Sequence, residues 1–242
     1  MFPQRWVRIL AILLVAGAIS LQAASPVRVL VFADGYHYGP AAYELAGCLD
    51  SSLVPGISAE FANTENILEP AALARYDVLV LFNHNDITLV HEKNITQFVN
   101  AGGGLVALHH VINRANNNFE LNRLVGGYYR LEDGLVEHRD FNILRLAGAD
   151  HPVLAGIPDK FKIYDDQDFR MLSYPGEPVT RLLSCDVTDN GDQQDCGWVR
   201  TEGAGRVIYL SPGDPVKKSP FIKNEPLFRL IVNAIRWAAG AD

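Results

Sequence analysis

Four of the seven histidines of this chain, His37, His84, His109 and His110, stand just past the ends of short apolar runs. Asp34, Tyr36 and His37 follow VRVLVFA, His84 and Asp86 follow VLVLF, His109 and His110 follow LVAL, and Ser211 and Asp214 follow RVIYL. Imidazoles gathered at one rim with carboxylates beside them can accept and donate protons near neutral pH, or hold a metal. The catalytic candidates are therefore His109, His110, His37 and His84, with Asp166 or Asp214 as carboxylate partner. Asp34, Tyr36, Tyr128, Glu137, His138 and Asp168 are candidates for binding a substrate.

Each of these residues also has a plainer reading. His37 lies between Tyr36 and Tyr38 and can simply pack there; His84 between Asn83 and Asn85 can cap a turn; Asp214 in SPGDP can be a turn former. His109 and His110 are adjacent, so on an extended strand end their rings point apart and one of them is structural. The segment 137–140 can be a solvated charged edge; on a strand Glu137 and Arg139 share one face and His138 and Asp140 the other, where those two can also orient each other. The acidic cluster Asp165, Asp166 and Asp168 around Tyr164 can hold a sugar hydroxyl, bind a cation or face water. His151, just before Pro152, is expected to fix the turn of its connector.

These residues need a frame to bring them together. The runs 27–33, 78–82 and 105–108 are apolar but for Arg28 and carry several β-branched residues, as in strands buried on both faces. Helical spacing is expected over 40–53, 90–101 and 226–239, with a further strand at 57–62. Strand alternating with helix predicts parallel pairing and right-handed crossovers. The fold class is α/β: a doubly wound, mainly parallel sheet with helices on both faces. The second half carries an irregular β excursion over 133–146, a turn-rich connector over 151–158 and strands at 179–185 and 206–210. In such sheets ligands bind beyond the carboxyl ends of the strands, where the histidines cluster. Gly102, Gly103 and Gly104 lie after a helix and before a strand, which suits a helix stop rather than a dinucleotide fingerprint, and no Walker sequence is present.

Composition narrows the partners. With 48% hydrophobic residues in 242, the chain can bury one substantial core. A formal charge of −7 is the wrong sign for gripping a phosphate backbone, so nucleic acid is not expected. Arg5 and Arg8 precede an apolar run from Ile9 to Leu21, shorter than the roughly 20 residues of a membrane span, followed by Ala23, Ala24 and Ser25. This pattern predicts a signal peptide over 1–24, a domain over 25–242 and export to the periplasm or beyond, with no stable membrane insertion after cleavage. Its removal takes the balance from −7 to −9. In an oxidising compartment Cys185 and Cys196, which flank the acidic loop DVTDNGDQQD, can either staple a hairpin or stay free, and Cys48 reads as a buried, inert thiol.

The strings GGGLVALHH, LVGGYYRLEDGLVEH, DHPVLAGIPDKFKIYDDQDF and GAGRVIYLSPGD, in this order and followed by a helix ending RWAAG, resemble the ThuA-like (trehalose utilisation) family over 27–239. The resemblance implies a flavodoxin-like sheet similar to that of the class I glutamine amidotransferases. Those relatives carry a cysteine at the turn after the strand matching LVAL; here the turn holds His109 and His110, so a glutaminase thioester is not expected. The family commonly has Gly-His where this chain has Gly213 and Asp214, a departure that alters any shared mechanism or metal set. The resemblance implies a small-molecule carbohydrate, a keto-sugar or glycoside, as partner. Two readings follow: acid–base chemistry on that carbohydrate by histidine and carboxylate, or a non-catalytic carbohydrate-binding or interaction module on a degenerate amidotransferase fold. No cofactor is expected; a divalent metal held by His and Asp is conceivable but has no tight ligand spacing behind it.

Overall fold

The computed structural model describes residues 25–112, 118–129, 137–167, 171–186, 193–214 and 223–241. The expected signal peptide, 1–24, lies outside them. Among the described residues, no helix is long and apolar enough to cross a membrane.

The elements run β1 (Val27–Phe32), α1 (Gly35–Leu49), β2 (Ile57–Ala62), α2 (Pro70–Leu73), β3 (Val78–Leu81), α3 (Leu89–Asn100), β4 (Gly104–Leu108), α4 (Phe119–Val125), β5 (Gly127–Tyr129), β6 (Glu137–Arg145), β7 (Lys160–Gln167), β8 (Met171–Ser173), β9 (Thr180–Asp186), β10 (Gln193–Glu202), β11 (Gly205–Leu210) and α5 (Glu225–Ala238). A nine-stranded sheet has the order β2-β1-β3-β4-β11-β10-β9-β6-β7, and β5 pairs with β8 apart from it. The ladders from β2 through β1, β3 and β4 to β11 are parallel. Those from β11 through β10, β9 and β6 to β7 are antiparallel.

Alternation along the parallel strands builds a core on each face. Val29, Val31, Val78, Val80, Val106, Leu108, Ile208 and Leu210 pack with α1 and α5. Leu30, Phe32, Leu79, Leu81, Leu105, Ala107, Val207 and Tyr209 pack on the other face with Leu68, Leu73, Ile95 and Leu124. Both faces of these strands are apolar because helices cover both, as a doubly wound sheet requires. The helix α5 is set by Asn224, whose side chain accepts the Leu227 amide at 3.2 Å, and by Pro226 in its first turn. Gly102, at φ 110°, ends α3, and a Cβ on Gly104 would lie 2.6 Å from the Ala238 carbonyl oxygen, so helix and strand meet only without a side chain there.

Two expectations need correction, and one strand goes unread in the sequence. The irregular excursion is the antiparallel half of the same sheet, with β6 and β7 at its far edge. The strand β7 escapes a hydropathy reading because, as an edge strand, it alternates exposed Lys162 with buried Phe161 and Ile163. The first helix begins at Gly35, with Pro40 inside it, because one added turn buries Tyr38 against Phe82 at a ring separation of 4.5 Å. His151 does fix its connector: its Nδ1 accepts the Val153 amide at 3.3 Å.

Candidate functional site

Strand β4 ends at Leu108 in extended conformation, and His109 then takes φ 54°, a left-handed backbone uncommon for any residue but glycine. A single 3-10 turn, His109–Val111, follows. This sharp reversal corrects the expectation of an extended end with rings pointing apart. The His109 and His110 rings lie 4.2 Å apart and nearly perpendicular. The Tyr209 hydroxyl donates to the His109 carbonyl at 2.9 Å and braces the turn from the neighbouring strand.

The His109 side chain is fully buried and pre-set. Its Nδ1 lies 2.8 Å from the Ser211 carbonyl oxygen. A carbonyl only accepts, so Nδ1 carries the proton and Nε2 keeps a lone pair. That Nε2 is buried without a hydrogen-bond partner. Burial first, then the nearby His110, hold the His109 imidazole well below the ordinary histidine range, with lesser contributions from His84 and His138, against the opposing effect of the Ser211 hydrogen bond. At neutral pH it is uncharged.

Around it the other rings grade towards solvent. His110 is half-buried, 5.0 Å from the exposed His84 and 6.0 Å from Tyr129. Tyr38, buried on α1, stands 5.7, 6.0 and 6.4 Å from His84, His109 and His110. Asp34 holds the end of β3 in place: its two carboxylate oxygens accept the amides of His84 at 3.0 Å and Asn85 at 2.6 Å.

The carboxylates come from the far half of the sheet. Buried Asp165 on β7 accepts the amides of Gly213 at 2.7 Å and Asp214 at 3.0 Å. Gly213, at φ 147°, lets the SPGD turn present both amides to one carboxylate. Buried Asp214 in turn accepts from His138 Nε2 at 2.6 Å. One ligand atom from each of His109, Asp165 and Asp214 falls within 4.8 Å of the others. The expected pairing of His138 with Asp140 is not formed; Asp140 instead meets Lys162 at 3.0 Å on the outer surface.

The structure thus brings together His109, His110, His84, His138 and Asp214 from the candidate set. Tyr128 on β5 faces Tyr174 at 6.2 Å, whereas its neighbour Tyr129 faces His110. The side chains of Tyr36, His37, Glu137 and Asp166, and all of Asp168, lie outside the described residues. The sequence reading preferred Asp166 to Asp165. The signal that finds Asp165 is alternation: Phe161, Ile163 and Asp165 are the inward positions of β7. Tyr38, three residues past the start of α1, needed the helix to begin earlier than expected.

Other features carry less chemistry. A hollow of about 770 Å³ opens at the opposite, amino ends of β1 and β3, but its Arg28 and Asp77 pair with each other at 2.7 Å and its Tyr76 hydroxyl donates to Glu60 at 2.6 Å. The thiols are free: Cys48 on α1, and Cys185 and Cys196 buried on β9 and β10, where the Cys196 carbonyl accepts the Ser211 amide at 2.9 Å. Burial, then a hydrogen bond with Cys185, raises the Cys196 thiol well above the ordinary range.

The fold recurs in solved structures at low identity. A ThuA-like protein from Parabacteroides merdae ATCC 43184 superposes with a TM-score of 0.68 at 17% identity, covering 89% of this chain and 90% of that one. One from Bacteroides uniformis ATCC 8492 gives 0.68 at 20%, covering 92% and 95%. A cytoplasmic protein from Salmonella typhimurium LT2 gives 0.64 at 15%, covering 87% and 99%. Among curated proteins none matches the chain. The ThuA family model, described as trehalose utilisation, matches residues 28–238, nearly the whole of the sheet and its helices, and the chain belongs to that family.

Proposed function

We propose that this is an exported protein that binds a carbohydrate, a keto-sugar or glycoside, at the histidine rim and acts on it by acid–base chemistry. The observation that carries the reading is the His138–Asp214 pair at 2.6 Å, set beside the fixed Nε2 lone pair of His109. A carboxylate that accepts from one ring nitrogen fixes the orientation of the imidazole, which places His138 to exchange a proton with a bound sugar. His109, uncharged and with its Nδ1–H held by the Ser211 carbonyl, keeps its Nε2 lone pair at the bottom of the rim. His84 and His110 line the approach from solvent.

A carbonyl in the substrate would strengthen the case for this simple machinery. A keto group acidifies the adjacent C–H, so an imidazole base suffices without a redox cofactor. The thiol that an amidotransferase would use has no counterpart at the His109 turn.

The test is incubation of the purified protein with trehalose, glucosides and their 3-keto forms, with products followed by mass spectrometry. Turnover that falls at least tenfold in both His138→Ala and His109→Ala supports the assignment. Turnover unchanged in both overturns it, and saturable binding without product favours a carbohydrate-binding module.

A further inference from the structure

We infer that His109, Asp165 and Asp214 form a binding site for one divalent first-row transition ion, of the Zn²⁺ or Mn²⁺ type, at the bottom of the histidine rim. The inference deepens the reading above: proton transfer stays with His138, while the His109 lone pair is directed at the ion.

Three observations support it. First, the donor set is compact and buried: one imidazole nitrogen and two carboxylate oxygens lie within 4.8 Å of one another, and the three residues are 0%, 3% and 4% exposed. Two buried carboxylates held this close favour a cation between them. Second, His109 Nε2 is fully buried without a hydrogen-bond partner, the costly state for a polar atom that an ion would relieve. Third, the groups behind the donors are arranged as they are around metals. His109 gives its other N–H to a backbone carbonyl, which fixes the tautomer that ligates. Asp165 is held by two backbone amides and Asp214 by His138. A mixed nitrogen and oxygen set suits Zn²⁺ or Mn²⁺ better than Ca²⁺ or Mg²⁺, which take oxygen. Three protein ligands leave room for water or a substrate oxygen, as in catalytic rather than structural sites.

The other acidic histidine cluster provides an internal control. His91 meets Glu65 at 2.6 Å and Glu69 at 3.2 Å on the surface of α3, where both ring nitrogens already face carboxylates.

The experiment uses the full-length protein, stripped with chelator and titrated with Zn²⁺, Mn²⁺ and Mg²⁺ by calorimetry, with thermal unfolding in parallel and no sugar present. The expected result is one Zn²⁺ or Mn²⁺ per chain, with a raised melting temperature and little response to Mg²⁺. Affinity should fall at least tenfold in His109→Gln and in Asp214→Asn, about tenfold in His138→Ala, and not in His91→Ala. Each variant is first checked for a cooperative melt in chelator, so that loss of the ion is read apart from loss of the fold. Binding that is absent, or that survives His109→Gln and Asp214→Asn but fails in His91→Ala, overturns the inference. Sugar turnover that persists undiminished in chelator would refute the metal site's part in the reaction and leave the acid–base reading standing.

Discussion

His138 on β6 and Asp214 beyond β11 stand 76 residues apart in sequence and 2.6 Å apart in space, Nε2 to Oδ2. The contact ties the antiparallel half of the sheet to the carboxyl end of its parallel half. If the two act as a unit, Asp214→Asn and His138→Ala should each lower kcat by about 10² with little change in KM, an effect in the range of a single acid–base group. The double variant should lose no more than the worse single one, because removing either partner already disables the pair. Losses that multiply would separate the two residues into independent roles. Steady-state kinetics on whichever sugar is turned over makes the comparison.

The φ of 54° at His109 separates strain from chemistry. Glycine reaches this conformation freely, whereas alanine carries a left-handed penalty of about 1 kcal/mol. His109→Gly is therefore expected to unfold at higher denaturant than His109→Ala by about 1 kcal/mol, while the two are equally inactive. Urea titration followed by circular dichroism checks the order.

Arg200 on β10 is a buried charge, with its side chain 5% exposed. It donates to the carbonyls of Arg123 and Leu124 at 2.8 and 2.7 Å and pairs with Glu177 and Glu202 at 2.5 and 3.0 Å. Arg200→Ala takes the side-chain donor from two helix-end carbonyls and leaves Glu177 and Glu202 to Arg123 alone, and should cost about 1–3 kcal/mol. Equilibrium unfolding measures it, and a loss under 1 kcal/mol would refute this account.

The Glu65–His91 pair predicts a specific acid sensitivity. Partial burial pushes the Glu65 carboxyl up, but hydrogen bonds from His91 and Thr88 outweigh it and hold the group below its ordinary value of 4.5. A depressed carboxylate gives stability that is fully present above its unfolded pKa and is lost as pH falls through the folded one. Glu65→Gln should therefore lower stability near neutral pH and flatten its fall below about pH 4.5. Melting temperatures from pH 7 to pH 3, wild type against variant, give the comparison.

Cys185 and Cys196 stand as free thiols rather than as the hairpin staple that export would permit. Burial raises the Cys196 thiol, and Cys48 is raised more mildly by partial burial and by Glu44. A thiol reagent at neutral pH should label Cys48 slowly and the other two only after unfolding, since the thiolate is the reactive form. Prompt labelling of Cys196 in the native protein, or a two-hydrogen mass deficit in non-reduced protein, would contradict the structure.

Local pattern was enough to place the parallel half of the sheet. The apolar runs at β1, β3, β4 and β11 can satisfy their side chains only between two layers of helix, and their ends then fix where His84, His109 and Asp214 emerge. The same logic failed at β7, an edge strand of alternating polarity, and at β10, an interior strand whose sequence QQDCGWVRTE leaves no apolar run to read. What neighbours in sequence could not specify was partnership. His138 has Asp140 two residues away on its own face, yet bonds to Asp214, because the antiparallel extension folds β6 back towards the loop after β11. Asp165, passed over beside Asp166, owes its place to the inward phase of β7, and the left-handed turn at His109 arises only where Tyr209 and Ser211 meet it from the adjoining strand. Those are long-range contacts, and their geometry exists only once the sheet has closed around them.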